Sequence, residues 1–167
     1  MALGSPLLGL EVYNMTILDS LHHKMKILPV DTYDPSATMQ PPAKPEQIEK
    51  PLEHFPNVPR DYLELIRLHN GMTFMYNIPG SILFIMRILS VEDAIDMMLD
   101  WHPYLIENMP NTFFFGQDGD EVYLYGTNNG KYGVYRVGIA DGEWDGAEYI
   151  GKSLASILVE GEGWASY

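Results

Sequence analysis

The sequence predicts an α+β fold in which helices flank a mainly antiparallel sheet. Helical patterns and strand candidates share the first part of the chain, a run of short strands follows, and a last helix closes the order. Pairs of Asp or Asn with Gly separate the short strands, and such pairs are the strongest local signal for a β-hairpin. The chain has 167 residues, 46% hydrophobic and 20% charged, a balance typical of one globular domain.

The first 44 residues are predicted to form an N-terminal extension with a proline-rich linker. Residues 10–28 are apolar but fit neither the helical nor the strand period. Residues 29–45 contain five prolines, which remove amide donors and favour an extended chain. We therefore place the domain itself at residues 45–167.

Helices are predicted at 45–55, 57–71 and 90–101. In the second, His69 lies close to the end and is expected to interact with the last carbonyls of that helix. The third begins with a capping pattern, Ser90 followed by Asp93. Its apolar spacing predicts a buried face made of Val91, Ala94, Ile95, Met98 and Leu99. Two strand candidates between the helices surround a turn at Pro79-Gly80.

From residue 111 the chain reads as a meander of four strands. Asp118-Gly119, Asn129-Gly130 and Asp141-Gly142 lie between the strand-like runs, and each predicts a turn. A closing helix is predicted at 153–161, with Ser153 as its cap and an apolar face of Leu154, Ile157 and Leu158.

Acidic residues are concentrated in the second half of the chain. Residues 1–89 hold 9 acids and 7 bases, whereas residues 90–167 hold 14 acids and 3 bases. The net charge of −13 is unfavourable for binding nucleic acid, which requires Lys and Arg at the phosphates. It favours a basic partner protein, with solubility as the alternative explanation.

The composition excludes several classes of protein. The chain has no cysteine, so disulfides, thiolate nucleophiles and cysteine-bound zinc are ruled out. It has no apolar run long enough to cross a bilayer and no basic region typical of a signal peptide. We expect a cytoplasmic protein that binds no membrane and no cofactor.

The stretch from Asp118 to Glu121 could be a metal loop, a catalytic carboxylate cluster or a turn with an acidic rim. It is too short for a calcium loop, and adjacent strand residues point to opposite faces, which disfavours a carboxylate pair. The turn is the favoured interpretation, and we expect no metal site. A hydrolase using His102 with Asp100 is a further alternative, but no second anchor supports it, so no catalytic residue is assigned.

The candidate partner-binding residues come from three acidic groups. The first is a row spaced at helical intervals, the second is the turn, and the third is the loop around Trp144, whose aromatic ring among acids is typical of an interface hot spot. These residues are Glu92, Asp96, Asp100, Asp118, Asp120, Glu121, Asp141, Glu143, Trp144 and Asp145.

Several of these motifs together resemble the SUKH superfamily, the Smi/Knr-like domains. The resemblance covers about residues 45–161. It is carried by Val58-Pro59-Arg60-Asp61-Tyr62, by Asn70-Gly71 at a helix end, by "FIMRILSVEDAIDMM", by Gly116, Asp118, Gly119, Asp120 and Tyr123 of a hairpin, and by "GVYRV" followed by "KSLASILVEG".

The resemblance implies an α+β fold without enzymatic activity. In most bacterial members it implies an immunity protein that binds and neutralises a toxin, often a nuclease, whose phosphate-binding surface must be basic. The alternative is an intracellular adaptor that binds signalling partners, with residues 1–44 as a docking arm. We expect a monomer or a weak dimer.

Overall fold

In the computed structural model, which describes residues 15–28, 35–55, 57–77 and 83–166, seven strands form one sheet. Each strand pairs antiparallel with the next along the chain, so the sheet is a meander. The strands are β1 Lys26–Ile27, β2 Met72–Asn77, β3 Leu83–Ile88, β4 Phe113–Asp118, β5 Glu121–Asn128, β6 Lys131–Gly138 and β7 Glu148–Gly151. The predicted α+β class is confirmed.

The helices lie between and after the strands. Within the described residues they are α1 Pro45–Leu52, α2 Arg60–Leu68, α3 Val91–Asp96, a π-helix Met97–Trp101, α4 Tyr104–Asn108 and a C-terminal π-helix Ser156–Glu160. Short 3-10 turns occupy Ile17–Ser20, Pro35–Ala37 and Trp144–Gly146. Both predicted N-cap residues are confirmed: the Ser90 hydroxyl accepts a bond from the Asp93 N–H, and the Ser153 hydroxyl accepts one from the Ser156 N–H. The reciprocal bond of a capping box, from the Ser90 N–H to the Asp93 carboxylate, is not among the bonds of the described residues.

The Asx-Gly pairs produce the expected hairpins. Asn129 and Gly130 have φ values of 52° and 78°, which is the conformation of a type I′ turn. The β4–β5 turn places Gly119, φ 57°, at the first of two central positions. The third pair, Asp141-Gly142, does not form a two-residue turn. It lies inside a longer connection between β6 and β7, residues 139–147. The predicted Pro79-Gly80 turn lies outside the described residues.

Both faces of the sheet are covered. Side chains alternate along β5, so Tyr123 and Tyr125 face one side, whereas Val122 and Leu124 face the other. All four are buried. On the tyrosine side, Tyr125 bonds to Asp61 of α2 and to Leu154 just before the C-terminal π-helix. On the opposite side, the Trp144 ring of the 139–147 connection lies over Gly126. A strand whose two faces are both buried explains the near-continuous apolar run in β5.

Part of the predicted extension is built into this body. β1 pairs with β2 at the edge of the sheet, with Lys26 opposite Met75. Ile17, Met25 and Ala43 are buried in the core. Residue 45 therefore does not mark the edge of the packed body. Residues 1–14 and 29–34 of the predicted extension and linker lie outside the described residues.

A hydrogen-bond network joins α2 to the end of the chain. The Asp61 carboxylate accepts a bond from the Tyr125 hydroxyl at 2.6 Å and another from the Ala155 N–H at 3.2 Å. The Tyr125 oxygen accepts a bond from the Leu154 N–H at 2.7 Å. Burial raises the pKa of Tyr125 and the Asp61 charge raises it further, so the phenol remains a donor. We call these contacts the Asp61 network.

Two expectations about helix ends were wrong. The Nδ1 atom of His69 lies 2.8 Å from the Gln40 carbonyl oxygen, in the segment before α1, rather than on the last carbonyls of its own helix. Leu99, expected in the core, is 61% exposed, and Met97 is buried instead. The cause is the π-helix Met97–Trp101, whose wider turn keeps Met98 buried but exchanges Leu99 for Met97 on the buried side.

Candidate functional site

One end of the sheet gathers two of the three predicted acidic groups. The backbone oxygen of Asp120, in the β4–β5 turn, accepts a bond from the Ile139 N–H at 2.8 Å. The Ile139 oxygen accepts one from the Tyr104 hydroxyl at 2.7 Å. Turn 118–121, the start of the 139–147 connection and α4 therefore form one contiguous surface. We call the turn and the connection together the acidic end.

The 139–147 connection is held against α4. Gly142 has φ 53°, and a Cβ atom built there would lie 3.0 Å from Leu105 and 3.1 Å from Tyr104. A glycine is needed because the backbone adopts a left-handed conformation at a close contact. This contact fixes the position of the loop backbone against α4.

The acidic end groups several carboxylates that have no partner in the described chain. Among the described residues, the side chains of Asp120, Asp141, Glu143 and Asp145 take part in no hydrogen bond or ion pair, and all four are exposed. Asp118 is partly buried, and burial raises the pKa of its carboxyl while Arg136 partly opposes that shift. These five side chains are the predicted residues that the structure brings together.

Glu121 belongs to an internal ion pair. Its carboxylate lies 2.8 Å from the Arg136 guanidinium, which also contacts Glu148 at 2.8 Å. Burial lowers the pKa of Arg136, but bonds to Glu148 and Tyr123 and the Glu121 charge raise it above its ordinary value. Arg136 is thus shared by two carboxylates, and the acidic rim is partly neutralised at Glu121.

The Glu92 carboxylate forms hydrogen bonds within the fold. Its carboxylate accepts a bond from the Asn70 side chain at 3.0 Å and another from Gln47 at 2.9 Å. The Asn70 oxygen accepts a bond from the Val91 N–H. Glu92 therefore links the start of α3 to α1 and to the turn before β2. It differs in this from Asp96 and Asp100, the other two acids of the predicted row.

Trp144 is placed differently from a protruding hot spot. It is half-buried and packs edge-on against Tyr135, with ring centroids 5.1 Å apart. A Cβ atom built at Gly126 would lie 2.8 Å from the Trp144 ring and 2.9 Å from Thr112. The indole therefore lies over a glycine and anchors the acidic loop, leaving Glu143 and Asp145 on either side of it exposed.

The remaining predicted residues, Asp96 and Asp100, lie on α3 and the π-helix. Both are exposed, and neither carboxylate has a partner in the described part of the chain. His102 Nδ1 lies 3.3 Å from the Tyr104 hydroxyl, and no described contact joins it to Asp100. Across the four described ranges, no group of three His, Asp or Glu side chains is arranged to hold a metal ion.

An apolar cleft lies beside the π-helix and was not predicted from the sequence. It has a volume of about 480 Å³ and is lined by His54, Phe55, Asn57, Leu99, Ile106, Asn111, Thr112 and Phe113. We call this the apolar cleft. Trp101, the last residue of the π-helix, is 50% exposed. An aromatic residue beside Asp100 at a helix end was the sequence sign that could have indicated a surface of this kind.

Comparisons with models of known protein families and with curated proteins find no match to this chain. The observations above therefore define the chain as an α+β meander with an acidic end and an apolar cleft. In the part of the chain that the structure describes, no helix combines the length and apolar character needed to cross a membrane.

Proposed function

We propose that the chain is a non-catalytic protein-binding domain whose acidic end binds a basic surface of a partner protein. The observation that carries the proposal is the grouping of exposed carboxylates without partners in the described chain, Asp120, Asp141, Glu143 and Asp145, on a turn and a loop that a backbone hydrogen bond joins. Charges that stabilise no part of their own fold remain available for long-range attraction and for ion pairs across an interface.

The partner that best suits this surface is a toxin domain. A nuclease toxin has a basic site that binds phosphates, and the acidic end would bind there. The resemblance to SUKH immunity proteins supports this choice. The net negative charge of residues 90–167 supports it as well, since this range contains 14 acidic and 3 basic residues. One of those bases, Arg136, is already shared by two glutamates. An acidic protein surface of this kind blocks a phosphate-binding site by occupying it.

The test first expresses the products of the adjacent genes to identify a toxin, and then co-expresses that toxin with this chain. Cells should survive with the wild-type chain, whereas the double variant Asp120→Lys and Asp141→Lys should lose protection. In vitro, the same variant should associate at least about tenfold more slowly at low salt, because charge reversal removes steering.

The matched control reverses two exposed acids elsewhere, Glu46→Lys and Glu49→Lys on α1. It changes the total charge equally but leaves the acidic end intact, so protection should persist. Survival that does not require the chain would contradict the immunity function. Equal losses in both double variants would show that total charge, rather than the acidic end, determines binding.

A further inference from the structure

The apolar cleft is lined in part by a segment that departs from α-helical geometry. The π-helix Met97–Trp101 turns Met97 and Met98 inward and leaves Leu99 61% exposed. The Met98 sulfur accepts a bond from the Phe114 N–H at 3.4 Å, which holds the turn against β4. π-turns inside helices are rare and occur frequently at functional sites.

Three carboxylates lie close in sequence to the two helical residues that line the apolar cleft. Leu99 lies between Asp96 and Asp100 in sequence, and Ile106 is followed by Glu107. These three acids are exposed, and their carboxylates have no partner within the described ranges. The helical segments that supply Leu99 and Ile106 to the cleft therefore also carry exposed negative charge.

The opposite side of the cleft adjoins the acidic end. Thr112 lines the cleft, and both Thr112 and Trp144 come within 3.0 Å of a Cβ atom built at Gly126. Trp144 is flanked by the exposed Glu143 and Asp145. The cleft and the acidic end are thus neighbouring parts of one surface.

We propose that the apolar cleft binds a bulky apolar side chain from a basic, amphipathic segment of the partner protein. This inference rests on the proposed function and adds the chemistry of the segment that is recognised. An apolar side chain would cover the exposed Leu99 and the partly buried Ile106, while flanking lysines or arginines would face the exposed carboxylates of the same helical segments. A second copy of this chain is a poor occupant, because its net charge of −13 opposes self-association.

The probe is a short helical peptide of lysine and leucine with its leucines on one face, compared with a peptide in which serine replaces every leucine. Dissociation constants are measured by fluorescence anisotropy of labelled peptides. The leucine peptide should bind about tenfold more tightly than the serine peptide, because one large apolar side chain is buried. In NMR spectra, the methyl resonances of Leu99 and Ile106 should shift when the leucine peptide is added and should not shift when the serine peptide is added.

The variant Leu99→Ser should remove the difference between the two peptides. Because Leu99 is already 61% exposed, the change should leave the fold intact. Met15→Ser is the matched control, since Met15 is 56% exposed and does not line the apolar cleft. That variant should keep the preference for the leucine peptide.

Equal binding of both peptides, or wild-type binding by Leu99→Ser, would overturn the inference. If Asp120→Lys with Asp141→Lys still weakened both peptides in that case, the acidic end would stand as a binding surface without the cleft. If that double variant also had no effect, the proposed function would fail as well. A dimer that Leu99→Ser dissociates would identify a second copy as the occupant and would also overturn the inference.

Discussion

Asp61 and Asp141 are the same type of side chain in one chain, but their surroundings differ completely. Asp61 accepts bonds from the Tyr125 hydroxyl and the Ala155 N–H. Asp141 is exposed and its carboxylate bonds to nothing in the described residues. The first carboxylate stabilises the packing of two helical segments. The second stabilises nothing in the fold, and this difference is why we assign it to a partner.

The largest effect is expected at the Asp61 network. Asp61→Ala leaves the Tyr125 hydroxyl and the Ala155 N–H without their acceptor, which should lower the free energy of unfolding by about 2 to 3 kcal/mol. Urea unfolding, followed by circular dichroism, measures the loss.

Glu64→Ala is the control for Asp61→Ala. Glu64 is also half-buried on α2, but its carboxylate has no partner in the described chain, so its removal should cost less than about 0.5 kcal/mol. If both variants unfolded at the same urea concentration, the contrast between bonded and unbonded carboxylates would have no energetic meaning.

The sequence predicted the hairpins because their signal is local. Asn129-Gly130 requires left-handed backbone at both positions, and these residue types adopt it at little cost. The acidic turn at 118–121 followed from the same reasoning. Its grouping with Asp141 and Glu143 could not, since it depends on a loop held by Tyr104 and Leu105 far away in sequence.

Other features depended on pairs that no periodicity reveals. Glu92 fits a helical row of acids, but Asn70 lies 22 residues away and accounts for its carboxylate. The exposure of Leu99 was missed because apolar spacing assumes 3.6 residues per turn, and the π-helix departs from that value. The sequence therefore predicts local turns well and side-chain partners poorly.

A smaller loss of stability is expected when Arg136, which forms ion pairs with two partly exposed glutamates, is removed. Arg136 holds Glu121 and Glu148, whose side chains are 48% and 63% exposed. Arg136→Ala should cost only about 1 kcal/mol, because water can solvate both released glutamates. Added salt should recover part of the loss by screening their repulsion. Unfolding midpoints at low and high salt measure both effects.

Arg67→Ala provides the control for Arg136→Ala, since Arg67 is exposed on α2 and has no partner among the described residues. It should show neither the loss nor the salt-dependent recovery. A loss at Arg136 as large as that of Asp61→Ala would mean that Arg136 is an anchor of the fold. The glutamates around it would then belong with Asp61 rather than with the acidic end.

The smallest effect is expected from Asp118→Asn, and it should depend on pH. Asp118 lies opposite Glu121 in the hairpin, and like charges in that position repel. Burial raises the pKa of Asp118 above its ordinary value of 3.8, so the folded chain holds this proton more tightly than the unfolded chain does. The stability that comes from protonated Asp118 is therefore complete below 3.8 and is lost as the pH rises through the raised pKa.

Asparagine keeps the turn preference of aspartate without its charge. The variant should match the wild type at about pH 3 and become more stable than it, by up to about 0.5 kcal/mol, near pH 7. Asp120→Asn removes a charge from the same turn at an exposed position, so its gain should be smaller. A difference in the free energy of unfolding between Asp118→Asn and wild type that stays constant over this pH range would contradict the argument, because it would show that Asp118 is as well solvated as the other carboxylates of the acidic end.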